Sequence, residues 1–330
     1  MRQNSAMRVG VVGVGGMGSV HARKYALMDD VELCAFDMSG ERLEAYCSQF
    51  LARSTSSLDE LLSSVDVVDI CTPTDSHLVV AEASIAAGKP TLVEKPMART
   101  VAQCRKMIDA AMAAGVPLMP GQVVRFFPEF AAAHQAVIDG KVGRPATVRT
   151  RRGGRAPKGS DLWFRDEDRS GGILLDLAVH DFDWMRWTFG EVKSVFARTV
   201  RLGPGVADAE FTGDYALTTL EFESGCLGHA ETTWMDPSGF RATFEICGSD
   251  GMIEYDSRDV PNLRVHGESG SRSESALAPT DDPFYRQLRA FLDAVRDGAP
   301  LPVSADDGMR AVAIAEAAIE SARTCQPVAL

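Results

Sequence analysis

The run Arg8-Val9-Gly10-Val11-Val12-Gly13-Val14-Gly15-Gly16-Met17-Gly18 decides how this chain is read. A valine-rich, strand-like stretch ends in Gly13-Val14-Gly15-Gly16-Met17-Gly18, which fits the pattern G-x-G-x-x-G. Met17 to Met28 then suits a helix, so strand, glycine turn and helix follow in the order the motif requires. The chemistry comes from the missing Cβ atoms. Gly13 permits a tight turn, Gly15 lets the backbone approach an anion, and Gly18 lets the helix pack close to the strand. The helix opening at Gly16 and Met17 offers unpaired N–H groups and a partial positive charge to that anion.

A glycine turn alone is common. Here Val31 to Asp37 reads as a second strand, and Asp37 stands about twenty residues beyond the last glycine. A carboxylate there can accept hydrogen bonds from a ribose diol and would repel a 2′-phosphate. The combination predicts dinucleotide binding, with NAD favoured over NADP. Asp37 would also serve as a helix cap. Arg42, one turn into the next helix, reads as a solvated cation and leaves some room for NADP.

Working outward, Ser39 can cap a helix from Glu41, and Val67 to Cys71 is a near-continuous apolar strand, as expected where both sheet faces are covered. Ser76 to Ala87 is helical and runs into Gly88-Lys89-Pro90. After the strand Thr91 to Val93, Thr100 caps a helix through Ala114 that runs into Gly115-Val116-Pro117, before a strand at Leu118-Met119. Glycine ends each helix and proline bars its continuation. Strands alternating with helices imply a parallel sheet with right-handed crossovers, a doubly wound α/β domain over 1–121. From 122 to 330 the rhythm becomes β-rich. Runs at Ala146–Arg152, Val192–Leu202, Tyr215–Phe222, Cys226–Trp234, Ala242–Cys247 and Met252–Tyr255 are joined by short turns, which favours an antiparallel sheet. Helices are expected at Pro128–Asp139, Ile173–Phe189, Phe284–Asp297 and Ala305–Thr324, the last able to pack on either domain. Gly267 to Ala278, rich in Ser and Glu, reads as an exposed loop.

The 330 residues suit about two domains and need no disulfide or metal staple. The net charge of −12 argues against nucleic acid or an anionic membrane as partner. No apolar run reaches the ~18 residues of a membrane span. The polar start does not read as a signal peptide. Seven cysteines without a C-x-x-C pair read as reduced thiols in a cytoplasmic protein.

Two further stretches leave buried strands for polar turns: Thr72-Pro73-Thr74-Asp75-Ser76-His77 and Glu94-Lys95-Pro96. Both fall at the carboxyl edge of the sheet, where open α/β folds bind ligands. Lys95 precedes a proline and is held extended or in a turn, aimed into the crevice; by residue type alone a surface lysine is the better description. Farther on, Gly171 and Gly172 open a helix in which Asp176 and His180, four apart, share a face. An Asp so placed can orient an imidazole and raise its basicity. A helix-surface ion pair, or a satisfied core histidine, fits the same spacing. A metal held by Asp176, His180 and Asp183 is unnecessary beside the lysine and nucleotide signals. Arg149, Arg151, Arg152, Arg155 and Lys158 form a basic cluster, read as a solvated strand end or as a loop meeting an acidic sugar. Trp163 can stack on a sugar face or simply pack.

On these motifs the chain resembles the Gfo/Idh/MocA oxidoreductase family over nearly its whole length. The resemblance implies an N-terminal Rossmann domain that binds NAD(P), and a C-terminal α+β domain whose large open, mostly antiparallel sheet often joins subunits into dimers or tetramers. It implies a sugar or cyclitol substrate lying between nicotinamide and Lys95. His180 would take the hydroxyl proton, Lys95 would steady the oxygen by its charge, and Asp176 would orient substrate and His180. Thr72, Pro73, Thr74, His77, Glu94, Lys95 and Gln122 join the cofactor site. Arg125, Arg152 and Trp163 join Lys95, Asp176 and His180 as substrate contacts, Arg125 standing where inositol dehydrogenases carry an arginine, although the doubled arginine of some is missing here. An NADPH-dependent keto-sugar or aldehyde reductase, and a non-catalytic dinucleotide sensor on the same fold, are the alternatives.

Overall fold

The computed structural model describes residues 6–155, 163–200, 215–259, 263–267, 270–274 and 282–330. The chain divides into two units, Met1–Gln122 with Asp282–Met309, and Val123–Asp281 with Arg310–Leu330.

In the first unit, strands β1 (Met7–Val12), β2 (Val31–Phe36), β3 (Arg53–Ser54), β4 (Val67–Ile70), β5 (Thr91–Glu94) and β6 (Leu118–Gly121) alternate with helices α1 (Gly16–Tyr25), α2 (Gly40–Phe50), α3 (Leu58–Ser64), α4 (His77–Ala86) and α5 (Val101–Ala114). The sheet order is β3-β2-β1-β4-β5-β6, parallel throughout. The order reverses between β1 and β4, the point at which such sheets open a crevice at their carboxyl edge. Val9, Val11, Val68, Ile70, Leu92 and Val93 are all buried, as the continuous apolar runs require. Ser39 and Thr100 cap α2 and α5 by accepting from the backbone N–H of Arg42 and Gln103, and Gly115 takes the left-handed conformation after α5 (φ 64°).

The second unit begins with α6 (Pro128–Ile138), β7 (Pro145–Gly153), α7 (Glu167–Ser170), α8 (Gly172–Asp176) and α9 (Val179–Phe189). Strands β8 (Val192–Val200), β9 (Tyr215–Phe222), β10 (Leu227–Thr233), β11 (Arg241–Gly248), β12 (Gly251–Asp256), β13 (Leu263–Gly267) and β14 (Gly270–Glu274) follow, then α10 (Pro283–Asp297), α11 (Ala305–Thr324) and β15 (Val328–Ala329). Among the described residues the sheet order is β14-β13-β12-β11-β7-β10-β9-β8-β15, antiparallel except where β7 meets β10. Strand β9 alternates. Ala216, Thr218, Leu220 and Phe222 of β9 are buried on one face, with Leu217 exposed on the other. On the buried face Phe130 of α6 sets its ring edge against Trp184, Phe244 and Tyr255 at centroid distances of 5.1, 5.0 and 5.4 Å. The Trp184 indole N–H donates to the Phe130 carbonyl at 3.0 Å.

Three expectations need correction. The helix expected over Ile173–Phe189 is two helices. The N–H groups of Leu177 and Ala178 both donate to the Ile173 carbonyl, and the second of these, a five-residue step, breaks the ladder before α9 begins. Asp176 therefore ends α8, and His180 is the second residue of α9. The loop expected over Gly267–Ala278 contains β14, and residues 275–278 lie outside the described part. Finally, α10 belongs to the first unit, not to a domain spanning 122–330, and α11 is divided at Met309. The cause is docking on α1. The Phe284 ring lies 5.9 Å from that of His21, Lys24 pairs with Asp282 at 2.7 Å, and Asp30 receives Arg289 at 2.9 Å and Arg296 at 2.6 Å.

Truncating Phe130→Ala removes the ring on which three aromatic neighbours close. It is expected to destabilise the second unit by about 3–5 kcal/mol, read as an earlier unfolding transition in urea followed by tryptophan fluorescence.

Candidate active site

At the end of β1 the chain turns at Gly13 with φ 91°, and a Cβ there would stand 2.8 Å from both the Cys71 carbonyl carbon and the Thr72 nitrogen. Gly18 lies so close to that turn that a Cβ would come within 2.2 Å of the Gly13 oxygen. Gly15 and Gly16 differ: nothing of the protein lies within 4 Å of where their Cβ atoms would be. The first turn of α1 has no side-chain cap and no acidic residue, so its N–H groups and dipole face that open space. Met17 stands in the same turn.

Asp37, just past β2, braces this cradle. Its carboxylate accepts from the Val14 N–H at 3.0 Å, from the Ser39 N–H at 2.8 Å and from the Arg42 guanidinium at 2.9 Å. Arg42 is thus committed to Asp37, a neutralised pair in place of a free cation poised for a 2′-phosphate.

The turns after β4 and β5 are tied together. His77 is buried, with Nδ1 2.9 Å from the Pro96 carbonyl and Nε2 2.9 Å from the Thr72 carbonyl. Burial lowers its pKa, and a neutral ring donates to only one of these oxygens at a time. Pro73 and Thr74 lead into a short 3-10 turn, Thr74–Ser76, closed by the Ser76 hydroxyl donating to the Pro73 carbonyl at 2.8 Å. Lys95 follows β5 directly, is half-buried, and joins Pro96 through a cis peptide bond. Its N–H donates to the Glu94 carboxylate at 3.1 Å. The Thr72 hydroxyl and both amide atoms of Gln122 are buried without a hydrogen-bond partner among the described residues. Such groups cost about 1–3 kcal/mol each unless a ligand or water satisfies them. Open glycines, uncapped helix N–H groups and these orphaned polar atoms fit a dinucleotide.

In the second unit Asp176 is buried and His180 half-buried. Sequence reasoning missed the ion pairs of α9, the helix that carries His180. Asp183 takes the Arg125 guanidinium on both oxygens at 2.8 and 2.6 Å, and Asp181 takes Arg152 on both at 3.0 Å. Burial pushes the Asp181 carboxyl up, and Arg152 draws it back only in part. Arg125 and Arg152 are themselves buried and engaged with these carboxylates. On the opposite face of β7, Arg149 pairs with Glu245, and Arg151 with Glu231 at 3.0 Å and Asp236 at 3.2 Å, while Arg155 donates to the Pro237 carbonyl. The basic cluster is therefore split by strand alternation into separate ion pairs. Lys158 lies outside the described residues. Trp163 stacks on Phe164 with centroids 4.0 Å apart.

A nucleotide cradle, with an amine-bearing turn on the same edge of a doubly wound sheet, defines a nicotinamide-dependent oxidoreductase. The family profile described as "Oxidoreductase family, NAD-binding Rossmann fold" matches residues 7–122, and "Oxidoreductase family, C-terminal alpha/beta domain" matches residues 134–330. The chain belongs to the Gfo/Idh/MocA oxidoreductase family. It is 32% identical to a myo-inositol 2-dehydrogenase of Thermotoga maritima and 30% identical to an inositol 2-dehydrogenase of Rhizobium meliloti, each alignment covering 96% of both chains. Among solved structures it is similar to GenD2 from gentamicin A biosynthesis in complex with NAD (TM-score 0.88, 29% identity, covering 99% of this chain and 97% of that one). It is also similar to levoglucosan dehydrogenase in complex with NADH and levoglucosan (TM-score 0.90, 25% identity, 99% of each).

Gly15→Ala separates ligand binding from folding. The added Cβ meets no protein atom, so thermal unfolding should be unchanged, while NAD affinity by calorimetry should fall at least about tenfold because the methyl occupies the anion's approach. Gly18→Ala should lower both.

Proposed function

We propose that the protein is an NAD-dependent dehydrogenase that oxidises a secondary hydroxyl of a sugar or cyclitol of the inositol type. The observation that carries this reading is the placement of the glycine turn and Lys95 after β1 and β5, strands separated only by β4 in one sheet. At about 4.8 Å per strand spacing, the two turns stand roughly 10 Å apart along the sheet edge. The kinship with inositol dehydrogenases gives the substrate class.

NAD, when bound, supplies the hydride acceptor. The glycine turn and the first turn of α1 hold its pyrophosphate, Asp37 its adenosine ribose, and Thr72, Pro73, Thr74 and Gln122 the remainder. Lys95 steadies the charge that develops on the reacting oxygen. His180 accepts the hydroxyl proton, and Asp176 orients it. Arg125 and Arg152 act through Asp183 and Asp181 by holding α9. The Asp37–Arg42 pair supports NAD over NADP, because a 2′-phosphate would have to displace the Asp37 carboxylate from the guanidinium.

The protein is proposed to assemble as a homo-oligomer through the exposed face of the second sheet. There Phe196, Leu217 and Leu227 lie in the open, next to alternating charges from Arg149, Arg151, Glu231 and Glu245. Apolar patches beside mixed charge suit a self-complementary surface. The seven free cysteines suit a reducing compartment, and the cytoplasm is the proposed location. No helix among the described residues is long and apolar enough to cross a membrane.

A panel of inositols, aldoses, sugar acids and sugar phosphates, read by reduced-nicotinamide absorbance, tests the activity. Turnover with NAD on a polyol is expected, and Lys95→Ala should lower kcat by a factor of at least about 100. Turnover on no polyol, or a strong NADP preference, would contradict the reading. Leu217→Lys should shift the protein to monomer in sedimentation equilibrium.

A further inference from the structure

Beneath the turn that carries Lys95 lies a polar cluster in which Glu94 joins three residues of no assigned role, His21, Asp69 and Tyr25. His21 of α1 is fully buried. Its Nδ1 stands 2.8 Å from Asp69 Oδ2, and its Nε2 stands 3.3 Å from Glu94 Oε1. Neither Nε2 nor that Glu94 oxygen makes a hydrogen bond among the described residues, so their approach is one of charge. The Tyr25 hydroxyl donates to Asp69 at 3.1 Å, and Cys71 Sγ lies 3.3 Å from His21 Nδ1. Phe284 of α10 lies against the ring. Gly121 of β6 leaves room for the carboxylate, since a Cβ there would stand 2.9 Å from Glu94 Oε1. The other Glu94 oxygen accepts the Lys95 N–H.

His21, Asp69 and Cys71 are residue types that bind metals, and their ligand atoms lie close together. Ligands at about 2.1 Å from a tetrahedral ion stand roughly 3.4 Å apart. The 2.8 Å separation of His21 and Asp69 is a hydrogen bond. The charges also argue for an ion cluster. Two carboxylates sealed from water cost several kcal/mol each unless a cation faces them. Burial opposes charge on His21, but the Asp69 carboxylate in contact with Nδ1 outweighs it and holds the ring's pKa well above the ordinary histidine value. Burial pushes the Cys71 thiol up to about 12, and burial with Asp69 raises the Tyr25 phenol, so both stay neutral. Asp69 and Glu94 are the carboxylates that face the ring.

We propose that His21 is a positioning residue: as a buried imidazolium between Asp69 and Glu94 it fixes Glu94, whose second oxygen fixes the backbone of Lys95. The inference rests on the reading of Lys95 as catalytic. The lysine is aimed by a charge cluster within its own unit, packed behind the turn that carries it.

Three measurements test it. In ¹⁵N-histidine spectra at about pH 8, where an ordinary histidine is neutral, His21 should carry protons on both nitrogens; a neutral ring would overturn the proposal. In His21→Gln, NAD affinity should stay within threefold of wild type, while amide exchange at Lys95 should quicken at least tenfold. Unchanged exchange would also overturn it. If His21→Gln does not fold, Glu94→Gln, which keeps shape and loses charge, carries the exchange comparison. With the polyol identified by the panel, either variant should lower kcat at least tenfold with KM little changed, and should add nothing further in a Lys95→Ala background. Full additivity on that background would assign His21 a general structural role and overturn the positioning role, leaving Lys95 catalytic. Unchanged turnover in Lys95→Ala alone would instead remove the reading of Lys95, and the exchange result would still judge the cluster.

Discussion

The approach of α1 to the end of β1 is the constraint on which the first unit depends. Only a glycine at position 18 tolerates a neighbour as near as the Gly13 oxygen, and only a glycine at 13 turns with positive φ against Cys71 and Thr72. That contact sets the helix N-terminus over the sheet edge. It also sets what lies deeper along the same helix. The buried residues of α1 are Gly18, His21, Ala22 and Tyr25, one stripe at helical spacing. The stripe that brings the helix close for an anion therefore also delivers His21 and Tyr25 to Asp69 and Glu94. Anion cradle and lysine support share one docking event.

The first unit was legible because its punctuation is local. Glycine and proline end the helices, Ser39 and Thr100 begin them, and buried parallel strands leave continuous apolar runs. Strands β7 to β12 of the second unit were legible from their turns and composition, while β13, β14 and β15 were not, being short or, in β14, rich in Ser and Glu. The break between α8 and α9 was not, because apolar residues continue through Leu177, Ala178 and Val179 and the interruption lies in which carbonyl takes which N–H. The placement of α10 was equally hidden: its amphipathic face says that it packs, but the choice of α1 comes from Phe284 and from Asp30 meeting two arginines.

Charge was the least legible layer. Five cationic residues between 149 and 158 read as one patch when counted along the chain. A strand alternates, so Arg149 and Arg151 share the exposed face while Arg152 turns inward to Asp181. The signal was present in the spacing, since odd and even positions of β7 cannot share a face. Asp69 carried a comparable signal. A carboxylate inside a run of valine and isoleucine must have a partner, and the nearest histidine able to reach it stands on the helix that packs against that sheet.

The two buried Arg–Asp pairs of the second unit show what such partners do. A buried pair is no stronger for stability than apolar residues of the same volume. What it adds is direction: a guanidinium that meets both oxygens of a carboxylate fixes the carboxylate's plane as well as its distance. Asp181 and Asp183 lie two residues apart on α9, so their side chains leave the helix in different directions, and each is held by its own arginine. A helix held at two points around its axis cannot rotate without breaking a bidentate pair. His180 is adjacent to the first of those points, and its place at the start of α9 is fixed by that rotation. In each unit a candidate catalytic side chain is thus carried beside a buried ion pair: Lys95 beside Glu94 and His21, His180 beside Asp181 and Arg152. Apolar packing alone would leave α9 freer to turn about its axis; its two bidentate pairs do not.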